Sequence, residues 1–270
     1  MNYFMKKLTI NFYGLLLILL FTLPAKAFTN SIHNKASDTI RILTIGNSFA
    51  DNASKYLKQI SESVRGCEII IGKANIGGCN LEKHAELIKQ SELDSTIKPY
   101  SGKSLKEWLL TDDWDIVTIQ QVSTLSFKTE SFQPYADKIR DYVSKYAPQA
   151  KIYIHETWAY APDCPRLDGF GITSNQMYER LKKNYITLSQ RYNSVILHSG
   201  DAFDRSFKKR KGLDLWSLND RYHANINGCY LAGSVWFKEL FGKSPKKIRY
   251  KPDEMSKKTA RFLRRIAKKS

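Results

Sequence analysis

A serine that follows a short apolar run is the first residue whose setting suggests chemistry. Residues 41–45 read RILTI and run directly into Gly46-Asn47-Ser48. A buried strand that ends this way and turns into a helix places its last side chain, and the unpaired N–H groups of the helix start, at one edge of a sheet. Those N–H groups favour an anion. Ser48 is therefore a candidate nucleophile, although a helix-capping serine would look the same.

An acid and a histidine near the other end of the chain are the partners that a nucleophilic serine needs. Asp220 and His223 lie three residues apart, just before a strongly helical pattern. Within one turn of chain the carboxylate can orient the imidazole and stabilise its protonated form. With Ser48 they predict a nucleophile, a base and an orienting acid in the chain order Ser, Asp, His.

Two adjacent glycines follow the second apolar run, at residues 67–73. Gly77 and Gly78 lack side chains, so the backbone there can approach a ligand closely and point an N–H at it. Taken alone, an ordinary turn explains the pair more simply.

The elements that must position these residues alternate along the chain. Apolar runs predict strands over residues 41–45, 67–73, 115–119, 151–155 and 194–198. Helical spacing predicts helices over residues 54–64, 81–92, 104–110, 131–146, 174–192, 201–209 and 226–241. Strands alternating with helices indicate a parallel sheet covered on both faces, with its ligand site at the carboxyl ends of the strands.

At this point the chain resembles the SGNH (GDSL-type) hydrolase superfamily, and within it the DUF4886 family of bacterial proteins. The resemblance rests on ILTIGNSFADNA, ANIGGCNLEKH, the QQ after the third strand, TWAY after the fourth, and the D-x-x-H before the helix of residues 226–241. These phrases span residues 41–241, and their order makes the set specific.

The resemblance implies a flavodoxin-like three-layer α/β/α sandwich with a five-stranded parallel sheet, and metal-independent ester hydrolysis. Ser48 would be the nucleophile, His223 the general base and then acid, and Asp220 the orienting acid. The backbone N–H groups of Ser48 and Gly78 would be two donors of the oxyanion hole.

The third oxyanion donor is where this sequence departs from the family pattern. The asparagine expected after the third strand is absent, and Gln120-Gln121 stands there instead. A glutamine amide is also a donor, so Gln121, or else Gln120, is a candidate replacement. Two structural glutamines at a strand end are an almost equally good interpretation.

Four further residues are candidate substrate contacts. Trp158 and Tyr160 lie in the loop of residues 156–173 and suit stacking on a sugar ring, although packing would explain Trp158 as well. His84 lies on the helix after Gly78, and Asn47 lies beside Ser48. His155 and His198 end strands and are expected to be buried and neutral.

The distribution of charge narrows the classes of partner. Of the net charge of +17, about +10 falls in residues 243–270, where twelve Lys and Arg face two acids. An apolar stripe in that segment (Met255, Thr259, Phe262, Leu263 and Ile266) predicts a helix docked on the domain of residues 28–242. Its lysines would face solvent, or contact an anionic glycan or a membrane surface. We expect no nucleic-acid partner.

No metal or cofactor is expected, because no set of His, Cys and carboxylates has ligand spacing. Cys67, Cys79, Cys164 and Cys229 allow up to two disulfides, with a pair drawn from the last three the easier one to form.

The first 27 residues resemble a secretory signal. Lys6 and Lys7 precede an apolar run at residues 13–23, and Ala25-Lys26-Ala27 fits a cleavage site. This predicts cleavage after Ala27, a periplasmic or secreted protein, and no membrane span after the signal is removed.

The sequence thus predicts an exported serine esterase that deacetylates a carbohydrate. A catalytically weak or inactive glycan-binding protein, and a lipase or thioesterase, are the alternatives.

Overall fold

Five parallel strands form the centre of the part of the chain that the structure describes. The computed structural model describes residues 38–210 and 212–270, together with Met1. The strands are β1 (Asp38–Gly46), β2 (Cys67–Asn75), β3 (Ile116–Ile119), β4 (Lys151–Glu156) and β5 (Val195–His198). They lie in the order β2-β1-β3-β4-β5, and every neighbouring pair is parallel. The signal sequence predicted at residues 1–27 falls outside the described residues, apart from Met1.

Ten α-helices of the described chain cover the sheet. They are α1 (Ser48–Ser54), α2 (Leu57–Glu62), α3 (Leu81–Leu93), α4 (Leu105–Leu109), α5 (Tyr135–Tyr146), α6 (Arg166–Phe170), α7 (Ser174–Tyr192), α8 (Ser199–Lys209), α9 (Ile226–Phe241) and α10 (Lys257–Lys269). Helix α9 packs against α1, α2, α8 and α10, whereas α3 packs against α5. An ion pair between Asp137 and Arg191 joins α5 to α7. The predicted three-layer α/β/α fold is confirmed.

The sheet direction explains where the candidate site lies. From β1 the chain moves outward to β2, and then returns across β1 to β3, so the order reverses beside β1. In open sheets of this kind ligands bind at the carboxyl ends of the strands on either side of such a reversal. Ser48 lies at the carboxyl end of β1, two residues beyond Gly46.

Several element bounds differ from those predicted. The single helix predicted over residues 54–64 is two helices, α1 and α2, and α1 begins at Ser48 itself because Asn47 caps it: its side chain accepts the N–H of Phe49 at 3.1 Å. The helix predicted from residue 131 begins at Tyr135, directly after Pro134. A short helix, α6, lies inside the segment predicted to be a loop.

The described part of the chain contains no helix that is long and apolar enough to cross a membrane. All four cysteines are buried and free, so none of the disulfides that they allow is present. Three of them lie after β2 (Cys79), before α6 (Cys164) and within α9 (Cys229).

Candidate active site

A hydrogen-bonded chain of three side chains lies at the carboxyl end of β1. Ser48 Oγ is 2.8 Å from His223 Nε2, and His223 Nδ1 is 2.6 Å from Asp220 Oδ2. Ser48 and His223 are 175 residues apart in sequence, so the fold brings the predicted pair together from opposite ends of the domain. With Nδ1–H donating to the carboxylate, Nε2 carries the lone pair that can take the serine proton.

The orienting carboxylate is held by its own turn. Asp220 Oδ1 accepts the backbone N–H groups of Tyr222 and His223, both at 3.0 Å. Burial raises the pKa of Asp220, but the hydrogen bonds from His223 and from these two N–H groups outweigh it, so that the pKa lies below its ordinary value. The acid is therefore ionised at neutral pH, as an orienting carboxylate must be.

Residues that the sequence reasoning missed hold the turn in place. Arg221 has φ +60° and pairs with both Asp163 and Asp214, which clamps the turn between two loops. Asn52, on α1, accepts the N–H of Ala224 at 3.0 Å and so ties the turn to the helix that begins at Ser48. Arg221 lies inside the D-x-x-H phrase, but Asp163 is 58 residues away and no local pattern indicated either partner.

The glycine loop lies beside the serine. The N–H of Ile76 donates to the carbonyl of Gly46 at 3.0 Å, and the Asn47 amide donates to the carbonyl of Cys79 at 3.0 Å. Gly78, between those two contacts, has φ +67°, and a Cβ added there would meet nothing within 4 Å. Among the described residues no acceptor pairs with the N–H of Gly78, and the N–H of Ser48 is the first of α1. Both are available to an oxyanion.

Neither glutamine after β3 is a free oxyanion donor, so that prediction was wrong. The Gln121 amide donates to the carbonyl and the hydroxyl of Ser131, at 2.7 and 3.1 Å, and its oxygen accepts the N–H groups of Leu81 and Val122. Gln120 donates to Asn47 instead of to the site. Both side chains are fully buried, and their hydrogen bonds connect neighbouring loops.

Gln120 is part of a buried relay that reaches the glycine loop. We define the amide relay as His155, Gln120 and Asn47. His155 Nδ1 donates to Gln120 Oε1 at 2.5 Å, Gln120 Nε2 donates to Asn47 Oδ1 at 2.7 Å, and Asn47 Nδ2 donates to the Cys79 carbonyl at 3.0 Å. Burial lowers the pKa of His155 to about 3, so the ring is neutral, as expected, and Nδ1 is the protonated nitrogen. The direction of every donor in the relay is thereby fixed.

His84 supports the turn from β1 into α1 and does not face the substrate. Its Nε2 donates to the Gly46 carbonyl at 3.1 Å, and its Nδ1 accepts the Tyr100 hydroxyl at 2.9 Å. Burial lowers the pKa of His84 to about 4, which keeps it neutral. Asn47 is also buried and fully bonded. Neither residue is an exposed substrate contact, because both fix the backbone on either side of Ser48.

Trp158 and Tyr160 pack in the core, and the expectation that they stack on a sugar was wrong. Trp158 is fully buried between Phe49 and Phe203, with ring centroids 4.5 Å from each. Tyr160 is fully buried, and its hydroxyl lies 2.9 Å from Ser123 Oγ. The loop that carries them folds inward because these large apolar surfaces are covered by α8 and the 214–225 segment.

A second polar cluster lies at the ends of β4 and β5. Glu156, His198 and Asp201 place one ligand atom each within 4.8 Å of one another, the arrangement among the described residues that could hold a metal ion. Lys182 already pairs with Asp201 at 2.9 Å, and Glu156 accepts the Asp201 N–H at 2.6 Å. The ring of His198 is only half-buried, so the expectation of a buried histidine there was wrong, and the hydrogen bond to the Glu156 carboxylate raises its pKa. A lysine of the protein therefore already lies beside this cluster as a cation.

A cavity of about 440 Å³ lies on the far side of Trp158 from the serine. Its walls include Tyr178, Phe203 and Trp216. The residues Ser48, Gly78, Asp220 and His223 do not line it, so it is separate from the candidate active site.

Comparisons with known proteins give the family. The family model described as "Domain of unknown function (DUF4886)" matches residues 41–270. A DUF4886 family protein from Bacteroides uniformis has a similar structure, with a TM-score of 0.78 and 24% identity, over 86% of this chain and 94% of that chain. No curated protein matches the chain.

The fold extends beyond that family. A candidate SGNH hydrolase from Slackia heliotrinireducens matches with a TM-score of 0.55 and 21% identity, over 75% of this chain and 100% of that chain. At this identity the match shows a shared fold alone. The family match, which covers most of the chain, goes further: the protein belongs to the DUF4886 family and has the SGNH hydrolase fold.

Proposed function

We propose that this protein is an exported serine esterase that removes acyl groups, acetyl first among them, from a carbohydrate. The observation that carries the proposal is the continuous hydrogen-bonded path from Ser48 Oγ through His223 to Asp220, with distances of 2.8 and 2.6 Å. Nucleophile, base and orienting acid are each within reach of the next, the arrangement that acyl transfer requires.

The first half-reaction acylates the serine. As Ser48 Oγ bonds to the ester carbonyl carbon, its proton passes to His223 Nε2, and the negative charge moves to the carbonyl oxygen. The N–H groups of Ser48 and Gly78 stabilise that oxyanion, each contributing about 3 kcal/mol. The intermediate collapses when the bond to the alcohol oxygen breaks, and His223 returns the proton to that oxygen.

The second half-reaction frees the enzyme. A water molecule gives its proton to His223 Nε2 and attacks the acyl carbon. The resulting oxyanion accepts hydrogen bonds from the same two N–H groups. Collapse breaks the bond to Ser48 Oγ, which takes the proton back. The products are a carboxylic acid and the deacylated hydroxyl, and Asp220 stays ionised throughout.

The carbohydrate part of the proposal is supported by the resemblance of the N-terminal sequence to a secretory signal and by Tyr222. This half-buried tyrosine has its ring centroid 4.4 Å from that of His223, with the Arg166 guanidinium 4.0 Å from its own centroid. An aromatic ring beside the base suits a sugar face.

We expect Tyr222→Ala to raise KM for an acetylated oligosaccharide about tenfold while Tyr222→Phe does not. An unchanged KM in Tyr222→Ala would remove this support.

The proposal is tested by hydrolysis of p-nitrophenyl acetate. Ser48→Ala and His223→Ala should each lower kcat by at least about 10³-fold, with the far-UV circular dichroism unchanged. Ser144→Ala, at an exposed serine on α5, is the matched control and should keep full activity. Undiminished turnover by Ser48→Ala would show that any esterase activity comes from elsewhere.

A non-catalytic, glycan-binding role is the second candidate. It is favoured by one observation: the amides of Gln120 and Gln121 are bonded within the protein, so two backbone donors remain for the oxyanion. That role predicts glycan binding by the native protein with no p-nitrophenyl acetate turnover above that of Ser48→Ala.

A further inference from the structure

Helix α10 separates its charged and apolar residues completely. We define the basic face as the six exposed cations of this helix: Lys257, Lys258, Arg261, Arg265, Lys268 and Lys269. At 3.6 residues per turn they occupy an arc of about 120° and extend along about 18 Å of helix axis. Ala260, Leu263, Ile266 and Ala267, on the other side, are buried. The result is one straight, dense line of positive charge on the surface.

The basic face is not neutralised within the described chain. Helix α10 contains no acidic residue, and none of the six cations pairs with a described carboxylate, although fourteen ion pairs occur elsewhere. Self-repulsion among six like charges costs stability, and an anionic partner would relieve it. Arg210, exposed at the end of α8, reaches over the Phe262 ring at 5.7 Å and adds a cation at the margin.

The other side of the helix limits what the partner can be. Its apolar residues pack on α9, so α10 has no free apolar face to bury in a lipid surface. Phe262, the one aromatic residue of α10, is half-buried under Arg210, so the face offers no stacking platform for nucleic-acid bases. What remains is charge with guanidinium forks, which suits carboxylates or sulfates spaced along a chain.

We infer that the basic face of α10 binds a linear acidic polysaccharide. This inference rests on the proposed function only for the choice of a carbohydrate, since binding at α10 needs no catalytic step. It would hold the enzyme on an acidic glycan while the active site acts on acyl groups of the same material, and so raise the local substrate concentration.

Polygalacturonate is the probe, and the Ser48→Ala protein is the background, so that the result does not depend on turnover. In the full chain, Lys257→Gln, Arg261→Gln, Arg265→Gln and Lys268→Gln together should weaken polygalacturonate binding at least about tenfold, and rising salt should weaken the parent in the same direction. The matched control removes the same four charges elsewhere, by Lys83→Gln, Lys89→Gln, Lys138→Gln and Lys183→Gln, all at exposed positions. It should change Kd by less than about twofold.

Three outcomes would overturn the inference. Equal losses in the two quadruple variants would show that net charge alone attracts the polymer. No binding by the parent at ~0.15 M salt would show that the face is merely solvated. Tighter binding to phosphatidylglycerol vesicles or to duplex DNA than to polygalacturonate would assign the face to another class of partner. Thermal melting of both variants confirms that α10 stays docked.

Discussion

At the scale of single residues, the site depends on which hydrogen bonds each side chain makes. Ser48, His223 and Asp220 form one partly buried hydrogen-bonded path, whereas His84, Asn47 and Gln120, also near the serine, are fully buried and bond to the surrounding strands and loops. Types and spacing along the sequence identified the first group. They could not separate it from the second, because the partners of a buried polar side chain come from distant strands and loops.

Asp220→Asn tests the orienting acid. An amide can present its N–H₂ group to His223 Nδ1, which would then have to be the unprotonated nitrogen and leave Nε2 protonated and unable to accept the serine proton. We expect kcat on p-nitrophenyl acetate to fall by about 10³- to 10⁴-fold with KM little changed. Asp141→Asn, at an acid with a 66% exposed side chain on α5, is the control. A loss below about tenfold would mean that Asp220 is not the orienting group.

At the scale of elements, the amide relay connects β4, β3 and β1 to the loop that carries Gly78. Asn47, directly before the serine, takes part in the relay both as an acceptor and as a donor. An aspartate could still accept from Phe49 and Gln120, but it could not donate to the Cys79 carbonyl and would repel it. We therefore expect the asparagine to hold the Cys79 carbonyl, one residue beyond Gly78.

Asn47→Asp should lower kcat by about 10- to 100-fold and leave KM within about twofold. The reason is that a misplaced Gly78 N–H weakens a hydrogen bond to the oxyanion, which forms chiefly in the transition state. Asn80→Asp makes the same chemical change in the same loop, where the side chain only caps α3 by accepting the Lys83 N–H at 2.7 Å. That control should keep its activity. Equal kcat values for the two variants would show that the relay does not position the oxyanion donor.

The pair that joins α5 to α7 gives a prediction about stability. The hydrogen bond from Arg191 lowers the pKa of Asp137 to about 2, below an unfolded value of about 3.9. A depressed pKa contributes stability that is complete above the unfolded value and disappears as pH falls through the folded value. Since the pair is partly solvated, we expect Asp137→Asn to cost about 1 kcal/mol at pH 7.

Urea unfolding of the native protein and of Asp137→Asn at several pH values checks this linkage. The difference between their free energies of unfolding should be constant from pH 7 to pH 5 and shrink between about pH 4 and pH 2. Asp113→Asn changes an exposed acid that forms no ion pair within the described chain, and it serves as the control. A difference that grows on acidification would contradict the assigned pKa direction.

At the scale of the whole molecule, the sequence predicted the sheet well and the loops poorly. All five strands lie where apolar runs indicated, because a fully covered parallel strand such as β3 leaves an unbroken apolar run. The burial of Trp158 and the separation of the cysteines depend on how loops return over the sheet, which no local pattern encodes. The start of α1 at Ser48 was missed for a local reason, since Asn47 was interpreted as a site residue and not as a cap.

The central claim is that Ser48 is a nucleophile activated by His223, and a fluorophosphonate probe tests it most directly. Intact-mass spectrometry of the native protein should show one probe per chain, and peptide mapping should place it on Ser48. His223→Ala should label at least about 10³-fold more slowly, and Ser48→Ala not at all. No labelling of the folded native protein, or labelling at a serine other than Ser48, would contradict the claim.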